Sequence, residues 1–254
     1  MRKLGANLNE DRTSRVGIII QARMNSSRFP GKSTALIHGS PLIEWVIQSC
    51  RNVANADLVA LAIPDTPECD ILEGIAVRMD VPVVRGSRDN VLSRYVKAGK
   101  KFSLDYIVRI TGDDPCHWPP LIELAIDRCI HQNGNYFISS TSSLSLVDGA
   151  IFEIISFPLL QEMARLYGHE RDAQEHVTSP LREKKLPINL ITFELTDVPP
   201  QLLDDRMRIC VDTFMDYISL INNWEWIDTE TGRIADTFRI LENARKQALQ
   251  AECE

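Results

Sequence analysis

Short runs of apolar residues recur along the first half of the chain, separated by longer segments with apolar positions at helical spacing. Residues 16–20 are continuously apolar, which is typical of a strand buried on both faces of a parallel sheet. Between 42 and 50 the apolar residues form one stripe of a helix. Ser40 and Pro41 predict where that helix starts, with Ser40 as the N-cap and Pro41 at the first helical position.

The same alternation continues to residue 130. Further strands are predicted at 58–63, 81–84 and 105–110, with helices ending near 79 and spanning 89–101 and 119–130. Alternating strands and helices indicate βαβ units, so we expect an α/β fold with a mainly parallel, mixed sheet flanked by helices. Ligands bind such sheets at the carboxyl ends of the strands. The loops after the first and fourth strands are therefore the places to look for a site.

The rhythm changes beyond residue 135. Strands are predicted at 136–140, 151–156, 188–195 and 207–211, and helices at 157–167 and 172–184. The tail, 228–253, is predicted to be a charged amphipathic helix. We therefore expect a flexible N-terminal arm at 1–14, a single domain at 15–228, and a C-terminal helix at 229–254.

Composition narrows the class of protein. The chain has 254 residues, 44% hydrophobic and 25% charged, which is ordinary for a globular protein. A net charge of -7 argues against nucleic acid as the main partner, although a few focused cations can still bind a small phosphorylated ligand. We expect neither a signal peptide nor a membrane span, because no apolar run follows the first basic residues and no stretch approaches ~20 apolar residues. The six cysteines form no CxxC pair. We expect reduced cysteines and a cytoplasmic location.

The loop after the first strand is rich in cations. Arg23, Arg28 and Lys32 fall within ten residues, together with Ser27 and Gly31. Backbone N–H groups of such a loop can face a phosphate while arginine forks and a lysine neutralise it. For any one cation, a solvated surface loop is the alternative.

The end of this loop superficially matches a P-loop. Gly31-Lys32-Ser33 has the last three residues of the motif, but Ser26 stands where its first glycine is required. Pro30 also removes a backbone donor where the P-loop needs one. The loop is therefore predicted to bind phosphate in another way.

Carboxylates stand at two predicted strand ends. Asp113 lies in Gly112-Asp113-Asp114-Pro115, and Asp212 follows the strand predicted at 207–211. Carboxylates there can hold Mg²⁺, which keeps substrate phosphates in its shell. A helix N-cap is the alternative for Asp212 alone. A third cluster runs from Gln174 to Thr178 with Arg182 beyond it, and on a helix Glu175, Thr178 and Arg182 would share one side. A plain surface helix is the alternative.

Several of these motifs occur together in one family. The segments are 19–32, 82–95, 107–115, 175–178 and 211–212, in family order across about 16–220. The chain resembles the cytidylyltransferases that activate acidic sugars, CMP-KDO synthetase and CMP-acylneuraminate synthetase. It looks closest to their relatives named for spore coat polysaccharide biosynthesis protein F.

The resemblance implies a nucleotide-diphospho-sugar transferase fold and transfer of CMP from CTP to a KDO- or sialic-acid-like sugar, releasing pyrophosphate. It implies that the nucleotide-binding residues are Ala22, Arg23, Ser27, Arg28, Gly31, Lys32, Arg85 and Asp89. Asp113 and Asp212 would ligate Mg²⁺ and, with Arg23 and Lys32, act in catalysis. Glu153, Glu175 and His176 would bind the sugar. A homodimer is also implied, with 136–170 as a dimerisation or sugar-side excursion.

The chain departs from the family pattern on the sugar side. Ile151 stands where relatives commonly have an acidic residue, and Phe214-Met215 replace a Pro-Glu pair. Two other functions therefore stay open. One is a glycosyltransferase of related fold that uses a finished nucleotide-sugar, and the other is a nucleotide-binding homologue with impaired catalysis.

Overall fold

A computed structural model describes residues 14–204, 206–229 and 232–251. The expected N-terminal arm, 1–14, lies outside these residues except for its last position. The strands are β1 (Val16–Gln21), β2 (Leu36–Ile37), β3 (Ser40–Pro41), β4 (Leu58–Pro64), β5 (Val83–Gly86), β6 (Tyr106–Thr111), β7 (Tyr136–Ile138), β8 (Glu153–Ser156), β9 (Leu190–Thr192), β10 (Trp226–Thr229) and β11 (Gly232–Ala235). The helices are α1 (Leu42–Arg51), α2 (Asp70–Arg78), α3 (Val91–Phe102), α4 (Pro119–His131), α5 (Phe157–Tyr167), α6 (Arg171–His176), α7 (Ser179–Arg182), α8 (Phe214–Asn222) and α9 (Thr237–Ala251).

A seven-stranded sheet organises the molecule, in the spatial order β5-β4-β1-β6-β8-β7-β9. β1 lies at its centre and pairs in parallel with both β4 and β6. β8 is antiparallel to β6 and to β7, so the sheet is mixed. This confirms the predicted α/β class with a mainly parallel sheet.

The continuous apolar character of β1 follows from its place between two cores. Ile18 and Ile20 face a cluster that includes residues of α1 and α4, whereas Ile19 faces a cluster with residues of α3 and α5. All three side chains are fully buried. Because successive side chains of a strand point to opposite faces, a strand covered on both faces has no polar position to show.

The expected start of α1 is wrong in detail. Ser40 and Pro41 form strand β3, which pairs with β2 across a turn where His38 and Gly39 both have positive φ. Pro41 is the N-cap residue, and no side chain caps the helix. A two-residue turn with φ > 0 at both positions favours a hairpin, and this signal competes with the Ser-Pro helix signal.

In the second half of the chain, the structure differs more from the elements predicted from the sequence. The helix expected at 172–184 is split into α6 and α7 by Val177, whose φ is +44°. Residues 207–211 form no strand of the sheet and make a single bridge, between Asp148 and Arg208. In place of one C-terminal helix at 229–254, the hairpin β10–β11 comes first and α9 begins only at Thr237. The guanidinium of Arg233 holds this hairpin to α1, 5.2 Å from the ring centroid of Trp45.

The segment 136–170 is built into the fold. β7 and β8 are interior strands of the main sheet, and α5 packs against α3. A role of this segment in dimerisation stays a prediction. Nowhere in the described residues does a helix have the length and apolar character needed to cross a membrane.

Candidate active site

A cleft of about 340 Å³ lies at the carboxyl ends of the central strands. It therefore occupies the edge of the sheet where α/β proteins bind ligands. Its walls come from the loop after β1, from α3, from the end of β6, and from α6. Its lining residues are Gln21, Ala22, Arg23, Ser26, Ser27, Arg28, Lys32, Ser33, Val91, Arg94, Arg109, Thr111, Gly112, Asp113, Glu175, His176 and Asp212.

The basic loop forms one wall and turns sharply at its end. Gly31 has φ +75° and begins the short 3-10 turn Lys32–Thr34. Glycine adopts the left-handed backbone conformation at little energetic cost, which explains why a glycine directly precedes Lys32. Gly31 itself lies outside the cleft lining, but its turn sends the Lys32 side chain inward, where Lys32 is buried. Arg23 and Arg28, by contrast, are exposed along the rim.

Lys32 lies between the two predicted metal ligands. Its Nζ donates to Oδ2 of Asp113 at 2.5 Å and to Oδ1 of Asp212 at 3.1 Å. Burial works to lower the pKa of Lys32, but the two carboxylates outweigh burial and hold this pKa above its ordinary value. Burial likewise opposes ionisation of Asp212, yet its hydrogen bond from Lys32 keeps the pKa of that carboxyl below its usual value. Both carboxylates are therefore held together around one cation.

A close contact between two loops places Asp113. The N–H of Gly112 donates to the carbonyl of Gln21 at 2.8 Å, which ties the end of β6 to the end of β1. A Cβ at position 112 would lie 2.8 Å from Cβ of Ala22 and 2.9 Å from the Gln21 oxygen. Only glycine allows this approach, so the Thr-Gly-Asp-Asp segment is fitted to the start of the basic loop. Asp114, next to Asp113, is buried, and burial raises its pKa well above the usual value.

Asp212 is freed for the cleft by the residue that follows it. Thr213 is the N-cap of α8, and its side chain accepts from the N–H of Asp216 at 3.1 Å. The alternative that Asp212 serves as the N-cap is therefore wrong. The N–H of Val211 donates to the carbonyl of Asp113 at 2.9 Å, which brings the two acidic segments side by side. Nη2 of Arg28 completes the arrangement, 2.9 Å from Oδ1 of Asp212.

An aromatic cluster, Phe29, Phe214 and Tyr217, joins the basic loop to α8. The ring centroid of Phe29 lies 5.8 Å from that of Phe214 and 5.7 Å from that of Tyr217. The hydroxyl of Tyr217 also donates to the carbonyl of Leu36 at 2.6 Å. Phe214 is one of the three residues that depart from the family pattern, and here it packs against Phe29.

The predicted sugar-binding residues divide into two groups. Glu175 and His176 are exposed and line the cleft beside Arg109. Glu153 does not line the cleft, because its side chain is only 1% exposed and is enclosed by other groups. It accepts from Arg109 at 3.0 Å, from Tyr136 at 2.5 Å, from Thr178 at 3.0 Å and from Arg182 at 3.0 Å. Glu153 therefore supports the wall from behind and is not placed to contact a sugar.

Two residues predicted near the nucleoside also lie apart from the cleft. Arg85 is held by three carboxylates, at 3.2 Å from Asp65, 2.8 Å from Asp70 and 2.5 Å from Glu73. Asp89 lines a smaller neighbouring cavity that shares Arg23 with the main cleft. Ile151, whose change was expected on the sugar side, does not line the cleft either.

Sequence reasoning missed two arginines of the cleft wall, Arg94 and Arg109. Both belong to motifs that match the family, but each reads in sequence as one polar residue inside a helix or a strand. The signal that could have found them is an arginine at a position whose neighbours in the helix or strand predict burial. Arginine is almost never fully buried unless it is paired, so such a position indicates a special role.

Comparison with known proteins identifies the family and the fold. A family model described as cytidylyltransferase matches residues 17–228. The chain is 31% identical over 206 residues to spore coat polysaccharide biosynthesis protein SpsF of Bacillus subtilis (strain 168), covering 80% of this chain and 83% of that protein. A cytidylyltransferase structure from Leptospira borgpetersenii superposes with a TM-score of 0.79 at 24% identity, covering 93% and 96% of the two chains. The structure of CMP:2-keto-3-deoxy-manno-octonic acid synthetase complexed with CTP gives a TM-score of 0.60 at 19% identity, covering 82% and 98%.

The chain belongs to the cytidylyltransferase family, a family of nucleotidyltransferases. Its fold is the nucleotide-diphospho-sugar transferase fold, as the sequence resemblance implied.

Proposed function

We propose that this protein transfers CMP from CTP to an acidic sugar and releases pyrophosphate, with Mg²⁺ held by Asp113 and Asp212. The observation that carries the proposal is the arrangement around Lys32. A cation contacts two carboxylates from distant segments, and two more cations, Arg23 and Arg28, line the same cleft. A metal–triphosphate complex presents both signs of charge, and this cleft offers partners for both.

The donor chemistry fits magnesium. Two carboxylate oxygens contact the same nitrogen atom of Lys32, so a single small cation could reach both after a modest movement. Within 14–204, 206–229 and 232–251 no group of three or more metal-binding side chains occurs. Mg²⁺ is commonly held by one or two carboxylates, with water and substrate phosphates completing its shell. When bound, the metal would neutralise phosphate charge at the reacting phosphorus.

Partner exchange at Lys32 and Arg28 is the central step for the protein itself. In the structure both cations contact Asp212. On binding of the nucleotide, these cations turn from the carboxylates to the phosphate oxygens, which leaves the carboxylates to the metal. Positioned cations of this kind stabilise the charge that develops as the sugar hydroxyl attacks the α-phosphate and pyrophosphate leaves.

The acceptor is proposed to lie between Arg109 and the exposed pair Glu175 and His176. These residues line the cleft, and Arg109 supplies a positive charge there. Its Nη1 is held by Glu153, while its Nε has no hydrogen-bond partner. A sugar with a carboxylate would complement this charge. The printed name of one structural neighbour, a synthetase for an octonic acid, also favours an acidic sugar. We place the reaction in the cytoplasm, in keeping with the five described cysteines, all free thiols.

Asp113→Asn tests the assignment. Pyrophosphate release from CTP, Mg²⁺ and a panel of acidic sugars should fall by about 100- to 1000-fold, the usual loss for one charge-stabilising group. CTP should still bind in calorimetry, because Arg23, Arg28 and Lys32 remain. Asp127→Asn on α4 is the matched control, since Asp127 contacts Asn55 away from the cleft.

Each outcome bears on a different part of the proposal. Undiminished turnover of Asp113→Asn would refute the metal site. Absence of pyrophosphate release by the wild type, together with sugar release from CMP- or UDP-sugars, would identify a glycosyltransferase. CTP binding without turnover of any acidic sugar would identify a homologue without catalysis.

A further inference from the structure

Arg94 is a buried arginine without an ionic partner among the described residues. It projects from α3 toward the carboxyl end of β4 and is 2% exposed. Its Nη1 donates to the carbonyl of Ala62 at 3.4 Å, and its Nε has no hydrogen-bond partner. The side chain lines the main cleft. The guanidinium is therefore enclosed by protein and has unused donors at the wall of the site.

The electrostatic surroundings of Arg94 are unusual for so buried a cation. Burial lowers its pKa, and the nearby charge of Arg23 lowers this pKa further. Other buried cations of the cleft are matched, Arg109 by Glu153 and Lys32 by Asp113 and Asp212. Arginine stays protonated in proteins, so this charge cannot be removed by loss of a proton. Burying such a charge is costly unless a counter-ion arrives.

The surrounding backbone makes room for this side chain. A Cβ at Gly86, at the end of β5, would lie 2.9 Å from Cγ of Arg94. Any larger residue at position 86 would push the arginine stem out of its channel. Gly86 of β5 therefore leaves the space that the buried side chain of Arg94 from α3 fills.

We infer that Arg94, together with Arg23, binds an oxyanion of the substrate in this cleft. The inference rests on the proposed function only in taking the cleft as the substrate site. The shared chemistry is a phosphate or carboxylate oxygen accepting from the guanidinium. This oxyanion could belong to a phosphate of the nucleotide or to the carboxylate of the acceptor sugar, and ligand titrations distinguish the two.

Arg94→Met removes the charge and keeps much of the apolar stem. Its affinity for CTP or for the acidic sugar should fall by about 10- to 100-fold in calorimetry, the range expected for a charged hydrogen bond. Binding of cytidine, which has no charge, should be unchanged. Arg94→Lys should retain part of the affinity, and Lys100→Gln, on the exposed side of α3, is the matched control.

Thermal unfolding without ligand separates binding from structural support. Because Arg94 has no ion pair to lose, the Tm of Arg94→Met should stay at or above that of the wild type. A clear fall in Tm would show that the arginine serves the fold and would overturn the inference. If Arg94→Met cannot be purified, the same titrations with Arg94→Lys decide.

The pattern of lost affinity identifies the source of the oxyanion. Weaker binding of both CTP and pyrophosphate assigns a nucleotide phosphate, whereas weaker binding of the acidic sugar alone assigns its carboxylate. Unchanged binding of all these probes, or an equal loss for cytidine, overturns the inference. These titrations need no turnover, so failure of pyrophosphate release would refute the proposed function and leave this test intact.

Discussion

The enclosed carboxylate of Glu153 offers the sharpest test of how the acceptor wall is held. We expect Glu153→Gln to keep the shape of the side chain and remove its charge. Arg109, whose side chain is only 15% exposed, would then have no counter-charge, and Arg182 would lose its only ionic partner in the described part of the chain. Removing one member of a buried ion pair is far more costly than removing a surface pair, because the remaining charge stays desolvated.

The magnitude follows from the contacts. Glu153 accepts from two guanidinium groups and two hydroxyls, and an amide cannot satisfy the same donors with both of its terminal atoms. We expect a loss of about 3–5 kcal/mol in the free energy of unfolding at pH 7. Glu162→Gln, which breaks the exposed pair with Arg165, should cost less than about 1 kcal/mol.

The pH dependence gives an independent sign. Burial opposes ionisation of Glu153, but Arg109 and Arg182 outweigh burial and lower its pKa below the ordinary value of 4.5. A lowered folded pKa means that the charge stabilises the fold above pH 4.5 and that this stabilisation is lost as the pH falls through the folded pKa. The difference in the free energy of unfolding between the wild type and Glu153→Gln should therefore become smaller in acid.

Urea unfolding at pH 7 and in steps down to acid, followed by circular dichroism, measures both quantities. A loss below about 1 kcal/mol at pH 7, as for a surface pair, would refute the reasoning. A gap that stays constant into acid would show that charge is not the cause.

Two further changes test the geometry of the cleft. Gly112→Ala should separate the loops after β1 and β6 and reduce both CTP affinity and turnover. The control is Gly74→Ala, whose Cβ would meet nothing within 4 Å and which should stabilise α2 by roughly 0.5–1 kcal/mol. Equal effects of the two substitutions on turnover would contradict the argument that Gly112 is required for the close approach of the loops. Thr213→Ala removes the cap of α8 and should cost about 1 kcal/mol in urea unfolding. It should also lower pyrophosphate release, because Asp212 is held next to this cap; release at the wild-type rate would show that the cap does not position Asp212.

Local patterns sufficed for much of the fold. The apolar run of β1 and the alternation through α4 predicted the parallel half, because each signal there comes from neighbours in sequence. Val177 shows where such patterns fail. Residues 172–184 read as one helix, but the backbone turns at Val177 so that Thr178 can reach the buried carboxylate of Glu153.

The site divides in the same way. The cations of the basic loop are adjacent in sequence, so their chemistry could be predicted. The pairing of Asp113 with Asp212 needed the family resemblance, since 99 positions of chain separate them. The enclosure of Glu153 by four donors and the lack of an ionic partner for Arg94 among the described residues could not be predicted, because both are properties of the packed molecule.

The aromatic cluster of Phe29, Phe214 and Tyr217 has a consequence for engineering. It makes the phosphate loop and the segment carrying Asp212 one unit, joined by an apolar contact outside the polar cleft. A loop transplanted from a relative without its matching aromatic partners would bring the right cations on a misaligned backbone. To exchange substrate preference between relatives, these three side chains should therefore be transferred together with the loop.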